Sequence, residues 1–349
     1  MPRVTLGIRT TASCSAALFA LTLSACSDKG ASPTQPSLSP STSASFDANY
    51  NENQSGEHGH VMHIRNELND GASPAAAARA SGTGISYHGG PVLQSGTNMA
   101  AIYWAASAIY KNAPAPGTSG AGSADASLVG YFLNHIGGSP YFNINSSYTN
   151  SAGLHIVNSV SYTQYWANNT SAPTGTQNVT DAQMISMLQS GFNSGKLTYD
   201  PNTLYAIFTA GQVNLGGGFG TQYCAYHTHG TVTIGGVAKT VLYAAMPYNN
   251  GYPSACTSGL AAANGAADPG ADYEVNTLVH EIEETTTDMM GNAWYDSRGY
   301  ENGDKCAWTW GTTYTTAAGG KGNINLAGKD FLVQQNWLNA GSGGCFLKY

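Results

Sequence analysis

The chain of 349 residues sits near the upper size at which one hydrophobic core still forms, so one large domain with appendages is expected. Hydrophobic residues make up 42% and charged residues only 9%, and 13 Lys and Arg stand against 20 Asp and Glu, a formal charge of -7. This balance lacks the basic patch that binding a phosphate backbone needs, and no apolar run of membrane-spanning length occurs beyond the extreme N-terminus, which argues against nucleic-acid binding and a polytopic membrane protein.

The first residues read as an export signal. Arg3 and Arg9 precede the apolar stretch 16–23, and Leu23-Ser24-Ala25-Cys26 places small residues before a cysteine, the pattern of a lipobox. Residues 1–25 are therefore expected to be a lipoprotein signal peptide, with Cys26 the lipidated residue; Ser27 after it, rather than Asp, favours the outer membrane in a Gram-negative cell. Residues 26–84 are rich in Ser, Pro, Ala, Thr, Asn and Gly with almost no apolar period, which predicts a disordered tether. His58, His60 and His63 within it have a metal-binding look, but a solvated tether holds no fixed geometry, so they are read as incidental.

From Tyr87 the character is that of a folded domain, assigned to residues 85–349. Residues 98–104 read as a buried strand. Residues 125–136 carry Leu128, Val129, Phe132, Leu133 and Ile136 at helical spacing and are stopped by Gly137-Gly138. A partly alternating strand is expected over 153–166, then a helix capped by Thr180-Asp181 that runs through Phe192, then a short buried strand over 203–209. Two strands, 231–234 and 239–246, are joined by Gly235-Gly236 like a hairpin. A long helix over about 270–290 has Asp268-Pro269 at its start and Gly291 past its end. This order predicts an α/β or α+β fold: a single large domain with a mixed sheet and a long helix, zincin-like in outline.

Once Cys14 and Cys26 are set aside, Cys224, Cys256, Cys306 and Cys345 remain, an even number in an exported chain. The pairs Cys224 with Cys256 and Cys306 with Cys345 are favoured because each closes a loop-rich segment locally. The chemical rival is a nucleophilic Cys224 served by His227 or His229.

The sharpest chemical signal lies in the long helix, as His280-Glu281-Ile282-Glu283-Glu284. His280 and Glu284, four residues apart, share one helix face and converge where a divalent ion could sit, and Asp288 extends the stripe by a turn. In zinc peptidases the H-E-x-x-H helix supplies two ligands and a glutamate base; here the second histidine position is Glu284, which also admits iron or manganese. Glu281 is then the candidate base. The third ligand comes either from the loop of Asp296, Glu301 and Asp304, ranked first with Asp304 or Glu301 as donor, or from the segment holding His227 and His229. Seven of the 20 acidic residues lie between Glu281 and Asp304, a clustering that asks for a cation; calcium in the 296–304 loop is the structural version of it.

Tyr87-His88-Gly89-Gly90-Pro91-Val92-Leu93 before an apolar strand, Cys224 with His227, His280-Glu281 to Glu284, Asn292-Ala293-Trp294-Tyr295, Glu301 to Gly303-Asp304 and Cys306, and the closing segment from Asn323 through Trp337 to Cys345 together resemble the EXORDIUM, or phosphate-induced, protein family over about residues 84–349. The resemblance implies an extracellular protein linked, in plants, to cell expansion and growth signalling. The expected function is a lipid-anchored, secreted metal-dependent hydrolase, a zincin-like peptidase with zinc as the first choice of ion and a peptide, protein or cell-wall substrate outside the cell. The alternative is a non-catalytic module that binds wall polysaccharide or a surface receptor through exposed aromatics among its 21 Tyr and 6 Trp, with the metal structural or absent.

Overall fold

The computed structural model describes residues 61–65 and 84–349. The signal segment, the lipobox cysteine Cys26, His58, His60 and the rest of the expected tether lie outside the described residues. One mixed sheet contains β1 (Val61–His63), β2 (Thr97–Trp104), β3 (Ser119–Ala121), β4 (Val160–Trp166), β5 (Thr203–Thr209), β6 (Tyr223–Ile234) and β7 (Val237–Met246), in the order β1-β6-β7-β5-β2-β4-β3. The helices are α1 (Leu128–His135), α2 (Asp181–Asn193), the single turn α3 (Pro253–Cys256) and α4 (Pro269–Thr287).

The central pairs β4–β2, β2–β5 and β5–β7 are parallel, while β1–β6, β6–β7 and β3–β4 are antiparallel. Parallel strands are covered on both faces, so β2 and β5 read as nearly continuous apolar runs instead of alternating ones. Successive side chains of β2 point to opposite faces. Met99, Ala101 and Tyr103 pack with Phe132 and Leu133 of α1 and with Val275, Leu278, Val279 and Ile282 of α4. Ala100, Ile102 and Trp104 pack on the other side with Met184, Met187 and Leu188 of α2. The sheet is thus sandwiched, with α1 and α4 on one face and α2 on the other.

Helix α4 starts at the Asp268 cap, whose side chain accepts from the Ala271 amide, with Pro269 in the first turn. It is buried on all sides: of its 19 residues, only Pro269 and Tyr273 are not. A surface helix would show a polar face to water. Here the polar face is covered by the segment after α4, whose strands are short and which the Cys306–Cys345 disulfide ties together. The Gln334 amide N–H donates to Asn276 Oδ1 (2.7 Å), so this covering is bonded to the helix, and the Tyr141 hydroxyl, from the stretch between α1 and β4, donates to Glu283 Oε2 (3.2 Å).

The mixed-sheet fold and the long helix are as expected; some boundaries are not. The strand expected over 153–166 begins only at Val160, and the helix expected to reach residue 290 ends at Thr287, where Asp288 caps it. The hairpin strands are longer than expected, because β6 starts at Tyr223 and carries the Cys-Ala-Tyr-His-Thr-His stretch into the sheet. Its turn residues Gly235 and Gly236 have φ of 58° and 80°, as a tight hairpin with two left-handed positions requires. The tether reading is corrected at residues 61–65. Val61 pairs with Tyr226 and Met62 with Ala225, Met62 is fully buried, and His63 is a strand residue whose carbonyl accepts from Trp308 Nε1 at 2.8 Å. Pairing with the free edge of β6 and burial of Met62 stabilise what composition alone makes look like tether.

Candidate metal centre

Three pieces of chain meet over the C-terminal half of α4. Its last two turns present His280, Glu281 and Glu284; β6 presents His227, which follows Ala225 on the sheet face packed against α4; and the loop after the helix presents Glu301 and Asp304. All six are buried, none more than 2% exposed.

Two groups of metal-ligating atoms form among them, each with its donors within 4.8 Å of one another. In the first, His280 Nε2 lies 3.1 Å from Glu284 Oε1 and 3.7 Å from Asp304 Oδ1, and the Asp304 backbone N–H donates to Glu284 Oε1 at 2.8 Å. In the second, His227 Nδ1 lies 3.0 Å from Glu281 Oε2 and 3.6 Å from Glu284 Oε2. The far edge of the same ring, Nε2, faces Glu301 Oε2 at 3.7 Å. Glu284 belongs to both groups.

Burial pushes the Glu281, Glu284 and Glu301 carboxyls well above the usual carboxylate range. Neighbouring carboxylates push in the same direction: Glu284 and Asp304 act on Glu281, and Glu284, Asp288, Asp304 and Glu281 act on Glu301. Such a cluster either holds protons or holds a cation. Glu281 Oε1 and Glu284 Oε2 are buried with no hydrogen-bond partner, so they are oxygens a cation would satisfy. Imidazole with carboxylate is a donor set that zinc, iron and manganese all accept. The residues therefore fit a divalent ion, and they do not by themselves select which.

Two residues that sequence reasoning passed over shape the centre. Gln334 places its side-chain amide nitrogen 2.9 Å from His280 Nδ1 and donates to the Gly303 carbonyl at 3.0 Å, which fixes the ring from behind. Gly303 lies against the ligands, and a Cβ there would sit 2.9 Å from Glu284 Oε1 and 3.0 Å from His280 Nδ1. Gln334 lies 54 residues from His280, and it and Gly303, between Asn302 and Asp304, fall in segments of the family resemblance but have no role assigned until the fold is known.

Other sequence candidates fall elsewhere. Asp288 is turned to the backbone, where its Oδ1 accepts from the Asn292 and Ala293 amides at 2.6 and 2.7 Å; burial raises its carboxyl to about 6 despite those bonds. His229, two residues beyond His227, is half-buried and in neither group, and burial lowers its pKa. Asp296 is paired with Arg298 at 2.7 Å and with buried Lys305 at 3.1 Å. Burial tends to raise its carboxyl, but these cations and the Arg298 and Tyr300 amides hold it below the ordinary value. The loop 296–304 therefore does not gather its three acids around one point, which corrects the calcium reading: Asp296 faces cations while Glu301 and Asp304 face the helix. Both disulfides are those expected, Cys224–Cys256 and Cys306–Cys345, so Cys224 is not available as a nucleophile. Among the described residues no helix is long and apolar enough to cross a membrane.

No family model matches the chain, and neither a curated protein nor a solved structure matches it.

Proposed function

We propose that this chain is an exported, lipid-anchored metal-dependent hydrolase, EXORDIUM-like over residues 84–349, that cleaves peptides or proteins outside the cell in the manner of a zincin. The observation that carries the reading is the convergence of His280 Nε2, Glu284 Oε1 and Asp304 Oδ1 on one buried point. A divalent ion held there would polarise a scissile carbonyl and make water acidic enough to attack it. Glu281, anchored through Oε2 to His227, leaves Oε1 without a partner, and this oxygen would take the proton from that water. Gln334 steadies the imidazole, and the Cys306–Cys345 disulfide braces the loop that brings in Asp304.

The test is elemental analysis of protein purified without chelator, together with turnover of a broad peptide library. A metal content that falls by one ion per chain in His280→Ala, and hydrolysis that drops by about a hundredfold or more in Glu281→Gln, are expected. A metal content that His280→Ala leaves unchanged refutes this ligand set. The lipid anchor is tested separately by acyl labelling, which Cys26→Ala should abolish.

One observation favours a second reading. Every donor is nearly or fully shielded from solvent, as in closed structural metal sites, whereas catalytic sites keep a position open. Protein that holds metal yet cleaves nothing, and that unfolds when the metal is removed, would establish a structural ion in a binding module.

A further inference from the structure

We infer that this centre takes two divalent cations, bridged by Glu284: the first on His280, Glu284 and Asp304, the second on His227, Glu281 and Glu284. The inference rests on the metal reading above and extends it to a site on β6 that the helix motif does not contain.

The division of labour at Glu284 is the first support. Its Oε1 faces His280 Nε2 at 3.1 Å and its Oε2 faces His227 Nδ1 at 3.6 Å, so one carboxylate addresses two imidazoles from opposite sides. A carboxylate in that position bridges ions roughly 3.5–4 Å apart, the separation of two-metal hydrolytic sites. The second support is the set of acceptors left over. Glu281 Oε1 and Glu284 Oε2 are fully buried and have no hydrogen-bond partner, and both belong to side chains of the second group. An ion at the His227 group alone would still leave the His280 group unfilled, and the reverse holds as well.

Charge points the same way. Glu281, Glu284, Glu301 and Asp304 carry four negative charges when ionised, within one water-poor volume. One divalent ion leaves two of those charges uncompensated, while two ions bring the four carboxylates to neutrality, and burying uncompensated charge is costly. The ring of His227 also presents both edges to acids: Nδ1 faces the group, and Nε2 is turned toward the Glu301 carboxylate at 3.7 Å, the side from which a second carboxylate can orient a metal-binding imidazole. The second ion would sit between His227 Nδ1 and Glu281 Oε2, which lie 3.0 Å apart. Glu281 then serves as a ligand, and its replacement removes an ion as well as activity.

The full chain, stripped by chelator and titrated with zinc(II) alone, is expected to bind two ions per chain by calorimetry and by elemental analysis after gel filtration. His227→Ala and Glu281→Gln should each bind one, with circular dichroism unchanged. Should His227→Ala misfold, His227→Asn carries the same comparison, and exchange-broadened paramagnetic resonance of the manganese(II)-loaded wild type reads the ion pair without any variant. A single ion in the wild type that survives both His227→Ala and Glu281→Gln overturns the second site and leaves the His280 site standing. No bound ion at all overturns both.

Discussion

Gly303→Ala tests the centre without touching a ligand. Gly303 has φ of -69° and ψ of -45°, an ordinary right-handed conformation, so alanine there strains no backbone. The added Cβ would lie 2.9 Å from Glu284 Oε1, 3.0 Å from His280 Nδ1 and 3.2 Å from His280 Cε1. The His280 ring is held from behind by Gln334, so the Glu284 carboxylate is the part that gives way, and it is also held by the Asp304 amide at 2.8 Å. Restoring ordinary contact moves that carboxylate by about half an ångström, against the roughly 0.2 Å that metal–ligand distances tolerate. Zinc affinity should fall by about 10–100-fold, the size of effect seen when a ligand's support is disturbed, and the metal-free protein should lose about 1–3 kcal/mol from overpacking. Competition against a chromophoric chelator measures the first quantity, and urea unfolding of the stripped protein the second. Zinc affinity within about twofold of wild type, in a variant that folds normally, would refute the placement of the ion between His280 and Glu284.

Gln334→Leu removes the amide that holds His280 and should weaken zinc binding by about 10–100-fold in the same competition assay, with the disulfides intact. Replacing Cys306 and Cys345 by serine opens a closure between residues 39 apart, which should cost about 2–5 kcal/mol in denaturant unfolding and lower metal affinity as Asp304 loses its brace. Glu274 reports on the scaffold: burial raises its carboxyl from 4.5 to about 8, although the Asn249 amide bonded to it works in the opposite direction. A carboxyl with a raised folded value costs nothing below pH 4.5, destabilises increasingly as pH rises toward 8, and costs a constant amount above that, on the order of 5 kcal/mol here. Glu274→Gln should therefore gain on the wild type as pH goes from 5 to 8 in chelator; parallel stability curves over that range would rule the assignment out.

Much of this was legible in the chain. Strand β2 begins one residue before the expected start, and β5 and the two disulfides are as read, because long apolar runs and an even cysteine count are local signals. The spacing of His280 and Glu284 placed both on one side of a helix, and the structure brings them within 3.1 Å. What escaped was tertiary. His227 ranks only second as a ligand source by sequence, because it sits in a polar-looking stretch that is buried only where β6 is covered by α4 and α2, so its placement beside Glu281 depends on partners far along the chain. The preference for Asp304 or Glu301 over Asp296 has its physical reason only in the fold, where Arg298 and Lys305 draw Asp296 away from the others. The strand at Val61–His63 is three residues long and shows no period, so only its pairing with β6 reveals it.

The acids along α4 also separate scaffold from site by the company they keep. Unpaired buried oxygens alone do not mark the site, because Glu274 Oε1, Glu283 Oε1 and Asp288 Oδ2 have none of their hydrogen-bonding capacity used either. The other carboxylate groups of this stretch are met by neutral donors: Asp272 by the Asn264 side chain, Glu274 by the Asn249 amide, Glu283 by the Tyr141 hydroxyl and Asp288 by two backbone amides. A carboxyl in such a setting lowers its cost by keeping its proton, and it needs no ion. Glu281 and Glu284 are met instead by two imidazoles, and Glu284 by the Asp304 backbone N–H, from a loop whose Glu301 and Asp304 carboxylates face the same two rings. Imidazoles can satisfy carboxylates as imidazolium, but two buried imidazolium rings still fall short of four carboxylates. A chain with only 9% charged residues that places so many acids and two histidines in one dry volume has assembled a donor set that could hold cations from outside the polypeptide, and burying those charges without them is costly.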